Sequence, residues 1–233
     1  MSDPQPTSPQ TVDAWSPTGV IGEAWERVKN DPAGLILPVV LVSVIQGLPN
    51  GVLSAGADAM TREGNDVLAA ALRFSAWLVG LVISAWLTGG LMELFLKAAR
   101  SQPYTVSDVF GGGRWFAPML VTLFLVQLGT SVGFLLCVIP GIVLALGWVF
   151  ATVLVVDRER SAVDAIKESW ALTRGHKMDI FVFWILGFFV GLLGLLACCV
   201  GIFPAMAVVL LAQIHIYEHL SAASDASPPP TVF

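Results

Sequence analysis

The chain has 233 residues, of which 56% are hydrophobic and only 12% charged, with a mean hydropathy of +0.78 and a net charge of −5. A soluble domain carries about 25% charged residues, so this chain has roughly half the charge needed to cover a water-facing surface. The deficit is concentrated in long uncharged stretches, which excludes a soluble enzyme, a disordered chain, a nucleic-acid binder and a disulfide-stapled secreted module, and describes an integral membrane protein.

The first 18 residues are rich in Pro, Ser and Thr, with no apolar run of the kind a signal peptide needs, and read as a disordered tail. Ile21, Trp25 and Val28 then form a short apolar stripe that stops at Asn30-Asp31-Pro32. A spanning helix needs about 20 apolar residues, because the hydrocarbon is ~30 Å thick and a helix rises ~1.5 Å per residue. Residues 33–57 are uncharged and supply the first span; the second centres on residues 74–92, with Arg73 and Glu93 just outside it.

Residues 115–156 then run for 42 positions without a charge, and residues 180–217 for 38 with only His215. As single helices these would reach roughly 63 and 57 Å, about twice the hydrocarbon thickness, so each must fold back. Pro140-Gly141 and Pro204 mark the expected fold-back points, since proline removes a helical hydrogen bond and crowds the preceding turn. The predicted fold class is an all-α integral membrane protein of six transmembrane helices in three hairpins, each preceded by a short interfacial amphipathic helix. The predicted spans are 33–55, 70–96, 115–139, 140–156, 179–203 and 204–220, within a transmembrane domain of residues 19–220. Residues 221–233 read as a second disordered tail.

The loops orient the helices. Arg27, Lys29, Lys97, Arg100, Arg114, Arg158, Arg160, Lys167, Arg174 and Lys177 fall on one side, and Arg62 and Arg73 on the other. The positive-inside rule then predicts both termini in the cytoplasm of a bacterial inner membrane.

Three units share an order of interfacial segment and hairpin. Ser161-Ala-Val-Asp164 opens a segment ending at Gly175, with Ser161 as cap, Asp164 at the positive helix end and Gly175 suited to a left-handed C-terminal position. Val163, Ile166 and Trp170 give its expected apolar stripe, with Lys167 and Glu168 turned away, so it is predicted to lie on the cytoplasmic surface. Thr105-Val-Ser-Asp108 repeats the opening, before Gly111-Gly112-Gly113.

The segment DRERSAVDAIKESWALTRGH (157–176), the preceding residues 137–156 and the ending AQIHIYEHL (212–220) resemble a group of uncharacterised bacterial six-helix membrane proteins. That group includes the membrane domain fused to some glycerophosphoryl diester phosphodiesterases. The resemblance implies a six-helix fold. The phosphodiesterase activity needs a soluble metal-binding domain that no stretch of this sequence supplies, so it is not expected here.

Candidate sites are few. His215-Ile-Tyr-Glu218-His219 fits the H-x-x-E-H pattern of inverted zinc proteases, but a third protein ligand is needed and only Asp225 follows. The segment also sits where a last helix meets the interface, so neither catalysis, a metal nor a cofactor is expected. Cys137, Cys198 and Cys199 approach the periplasmic face, either as small apolar packers or with Cys137 bridged to one of the pair. Gly129-x3-Gly133, Gly187-x3-Gly191 with Gly194, and Gly80-x3-Ser84-x3-Thr88 are small-residue faces, for packing within the bundle or for a homodimer seam. Gln46, Gln127 and Gln213 are expected to hydrogen-bond between helices.

The absence of mid-membrane charges disfavours an ion-coupled transporter. Arg158, Arg160, Lys167, Arg174 and Lys177 around the amphipathic segment suit contact with anionic lipid. The sequence therefore predicts a non-enzymatic membrane protein whose partners are the bilayer and a membrane protein or second copy, with no nucleic acid. A small transporter or flippase-like carrier for apolar or lipidic cargo is the alternative, and a membrane metalloenzyme using His215, Glu218 and His219 is the second alternative.

Overall fold

The computed structural model describes residues 16–196 and 201–226. They form α1 (Pro17–Asn30), α2 (Pro32–Arg62), α3 (Asp66–Ala99), a 3-10 segment (Val106–Trp115), α4 (Phe116–Leu136), α5 (Val138–Gly147), α6 (Ala151–Asp157), α7 (Ala162–Leu172), α8 (Lys177–Leu196) and α9 (Ile202–Ala226), with no strand among the described residues. The chain is an all-α membrane protein. Six segments are long and apolar enough to cross a bilayer: α2, α3, the 3-10 segment with α4, α5 with α6, α8 and α9.

Side-chain caps set the entry to several helices. Ser16 Oγ accepts the Gly19 amide and Asp31 Oδ1 accepts the Gly34 amide, which starts α1 at Pro17 and α2 at Pro32. Thr105 and Asp108 close a capping box at the 3-10 segment, and Ser161 Oγ accepts the Asp164 amide at α7. Gly175 is left-handed at φ 86°, as its position after α7 requires. Helices α1 and α9 extend into the predicted tails, to Pro17 and Ala226; residues 1–15 and 227–233 of those tails lie outside the described residues.

The fold-back points differ from those expected. The first long run turns at Cys137, whose backbone is fully extended between α4 and α5. Pro140 then lies in the first turn of α5, and Pro204 in the first turn of α9, where a missing amide hydrogen costs nothing. Proline here opens the returning helix and does not form the turn.

The fourth span is itself interrupted, between Gly147 and Ala151. Its freed backbone groups are met from outside: Ser169 Oγ donates to the Gly147 carbonyl at 2.9 Å and accepts the Phe150 amide at 3.1 Å, while Gln213 Nε2 donates to the Val149 carbonyl at 3.0 Å. In hydrocarbon no water does this work, so the break exists because α7 and α9 clasp it. The buried face of α7 is accordingly Ala162, Ala165, Ser169 and Leu172, and Val163 is half exposed. This face is rotated from the predicted stripe. Small residues let α7 approach the break closely, and Trp170 covers Gly147.

The densest packing lies toward one end. Leu94 and Phe95 of α3, Phe150 and Leu154 beside the break, and Leu211, Ile214 and Tyr217 of α9 are fully buried there. At the opposite end Val67, Leu135, Ile139 and Leu196 are strongly exposed, as lipid-facing side chains are.

Candidate functional site

Apart from a few charges at the α2–α3 turn, where Arg73 pairs with Asp58, the charged residues gather at the closely packed end in connected groups. Arg100, just past α3, places Nη1 2.6 Å from Asp157 Oδ1 and Nε 2.8 Å from Glu218 Oε1. The Tyr217 hydroxyl donates to Asp157 Oδ2 at 2.6 Å. The Asp157 bond holds the Arg100 guanidinium even more firmly protonated than usual. Lys97 lies between Glu93 (3.1 Å) and Asp108 (3.2 Å), and Arg114 also reaches Glu93. Arg27 donates to the Ala98 carbonyl at 2.7 Å, and Tyr104 donates to Asp31 at 2.6 Å. Together these ties bind α1, α2, α3, the 3-10 segment, α6 and α9.

The five cations of the predicted lipid surface divide in two. Arg158 pairs with Glu168 (2.7 Å) and Asp225 (2.7 Å), and Arg160 with Glu168 (2.8 Å), so Glu168 turns inward and does not face away. Lys167 and Arg174 are exposed, with no anionic partner among the described residues. Lys167 shares the outer line of α7 with Val163, four residues before it, Arg174 follows just past the end of α7, and Trp170 lies half-buried between this face and Gly147. Lys177 sits 3.5 Å over the Trp170 ring. What remains free is a narrow cationic and aromatic stripe.

The H-x-x-E-H residues do not converge. Glu218 is engaged by Arg100, His219 is exposed, and His215 Nδ1 lies 3.6 Å from Glu23 of α1. Among the described residues no three His, Cys, Asp or Glu side chains group as metal ligands do.

The glycine faces serve the hairpins. A methyl at Gly129 would collide with Trp148, and one at Gly133 would approach Gly141 to 2.9 Å, so both close α4 on α5. Gly187 packs toward Val209 and Gly194 against Gly201 and Ala205, while Gly191 faces open space. The Gly111-Gly112-Gly113 run also has a packing role: a methyl on Gly112 would strike the Trp86 carbonyl, and one on Gly90 the Val109 carbonyl, so the 3-10 segment lies directly on α3. Cys137 is exposed and free; Cys198 and Cys199, and with them the predicted bridge, lie outside the described residues. Of the three glutamines, Gln213 bonds between helices as expected. The Gln46 and Gln127 side chains have no hydrogen-bond partner among the described residues.

Sequence reasoning missed the Arg100–Asp157–Tyr217 group. Its signal is a Tyr and two acids next to span ends on the cation-rich side, where interfacial placement alone also accounts for such residues.

Comparison with known proteins gives a family and no activity. The profile of an uncharacterised protein family (UPF0259) matches residues 40–223. Similar proteins include the uncharacterised protein Rv2560 of Mycobacterium tuberculosis, 26% identical over 219 residues, covering 86% of this chain and 67% of that protein. The UPF0259 membrane protein SG1383 of Sodalis glossinidius is 30% identical over 113 residues, covering 47% of this chain and 45% of that one. No solved structure matches the chain.

Proposed function

The chain belongs to the uncharacterised UPF0259 family of membrane proteins, and from that premise we propose that it is a non-enzymatic, multi-pass protein of the bacterial cytoplasmic membrane that engages anionic phospholipid through α7. The observation that carries the reading is the division among the cations. Arg158 and Arg160 are neutralised by Glu168 and Asp225, whereas Lys167 and Arg174 stand free beside Trp170 and Val163. A cation near an anionic leaflet adds on the order of 1 kcal/mol of attraction, and an aromatic ring suits the headgroup level.

Lipid co-purification tests this. Changing Lys167, Arg174 and Lys177 to Gln is expected to lower retained phosphatidylglycerol and leave the fold intact. Retention unchanged by the triple substitution overturns the lipid contact. Both termini in the cytosol, supported by ten cations against two, would be checked by impermeant labelling of cysteines placed near each end; label entering from the periplasmic side rejects that orientation.

The likeness of residues 137–176 and 212–220 to the membrane domain joined to some phosphodiesterases fits the same reading of a membrane module. A second reading, a small carrier for apolar or lipidic cargo, is favoured by the unpartnered Gln46 and Gln127. Reconstituted vesicles that move no lipid across a panel of headgroups would count against it.

A further inference from the structure

Helices α2 and α4 both pack along α3 and leave a groove of about 360 Å³ over it. Its walls carry Gln46 and Asn50 from α2 and Gln127 from α4; its floor is Gly80, Ser84 and Thr88, with Trp77 at one side. The spacings of four residues on α2 and on α3 put each set on one helical face. Counted from Glu93, just outside the span, Thr88 lies about 8 Å and Ser84 about 14 Å along α3, and Gln127 lies about 16 Å along α4 from its start, so the groove runs inward toward the middle of a ~30 Å hydrocarbon layer.

These polar groups are not consumed by the fold. Asn50 Nδ2 donates to the Gln46 backbone carbonyl at 3.0 Å, leaving its Oδ1 to accept. The side chains of Gln46, Ser84, Thr88 and Gln127 have no hydrogen-bond partner among the described residues. Gly80 keeps the space open, since a methyl there would come within 3.0 Å of the Asn50 amide. Unpaired amides and hydroxyls at this depth are costly unless something fills the groove and bonds to them.

We propose that the groove binds the uncharged, polyhydroxylated headgroup of a membrane lipid that enters sideways from the bilayer. Every polar side chain in the lining is neutral, so an ionic headgroup would find no counter-charge. Amides and hydroxyls donate and accept equally, which matches a ligand whose own groups are hydroxyls. Trp77, Leu81 and Leu123 supply an apolar border. Toward the cations the same helices continue with buried Val42, Leu91 and Met119, so the polar lining gives way to packed apolar side chains there and the lateral side is the way in. The volume lies within the ~300–1,000 Å³ of ordinary ligand sites. This groove is separate from the α7 stripe and does not depend on it.

The test uses the full chain in nanodiscs holding equal amounts of glucosyl diacylglycerol and diacylglycerol with the same acyl chains, with retained lipid read by native mass spectrometry. The sugar lipid is expected at no less than tenfold excess. In the Gln46→Leu, Gln127→Leu variant the ratio is expected to fall to within about twofold of one, with Tm no lower than before. If that variant fails to fold, Ser84→Ala with Thr88→Val carries the same expectation. A ratio near one in the unaltered protein, or an excess that survives substitution, overturns the proposal. So does a dimer that the substitutions dissociate, because the groove would then be a seam between two copies.

Discussion

The Tyr217 hydroxyl donates to the Asp157 carboxylate at 2.6 Å, tying α9 to the end of the fourth span while Arg100 grips the other carboxylate oxygen. Asp157 is largely enclosed, and its two carboxylate oxygens are met by these two partners at the meeting of three helices. Tyr217→Phe is expected to cost about 1–2 kcal/mol. Arg100→Leu should cost more, on the order of 2–3 kcal/mol, because it strips Glu218 as well; the partial exposure of Arg100 keeps that figure below the fully buried case. Equilibrium unfolding in mixed micelles measures both. Equal stability of Arg100→Leu and the parent would show that the group is ornamental.

Ser169→Ala leaves the Phe150 amide without its partner at a buried break and the Gly147 carbonyl with only the longer 3.5 Å bond from Thr173 Oγ1. The expected loss is about 1–3 kcal/mol, against roughly zero for Ser221→Ala, whose hydroxyl only returns to its own helix. Thermal midpoints of the two variants, compared side by side, decide it.

The contact between α3 and the 3-10 segment admits no side chain. Gly90→Ala is expected to destabilise by about 1–3 kcal/mol or more, since the collision is with backbone. Gly191→Ala, with open space beside it, should be neutral or add up to about 1 kcal/mol through helix propensity. A reversal of that order in unfolding measurements would reject the close approach.

Tyr104 supplies a pH test. Partial burial, together with its bond to Asp31, pushes the hydroxyl up to about 12 from 10. A pKa raised by folding means the folded state holds the proton more tightly. The associated stability is therefore complete below pH 10 and is lost between about pH 10 and 12. With Tyr217→Phe as background, phenolate absorbance should titrate near 12, and Asp31→Asn should bring the midpoint down. A midpoint at 10 before that change would exclude the bond.

Much of the architecture could be read from charge spacing alone, because a 42-residue uncharged run is too long to cross once. The caps at Thr105 and Ser161 were equally visible, since a Ser or Thr with an acid three residues on is a local device. What stayed hidden depended on distant partners. Nothing near Trp148 announces a break, for Ser169 and Gln213 supply its hydrogen bonds from other helices. The buried face of α7 was misplaced because Ala162, Ala165 and Ser169 are too small to register as an apolar stripe. Arg158 and Arg160 read as free cations until Glu168 and Asp225 were brought to them.

The interruption in the fourth span imposes an order on biogenesis. Its acceptor and donor, Ser169, is synthesised 19 residues after Phe150 and arrives on another helix. A fragment cut before α7 would thus carry unquenched peptide dipoles in its last span, and that span reaches its final form only once α7 has docked.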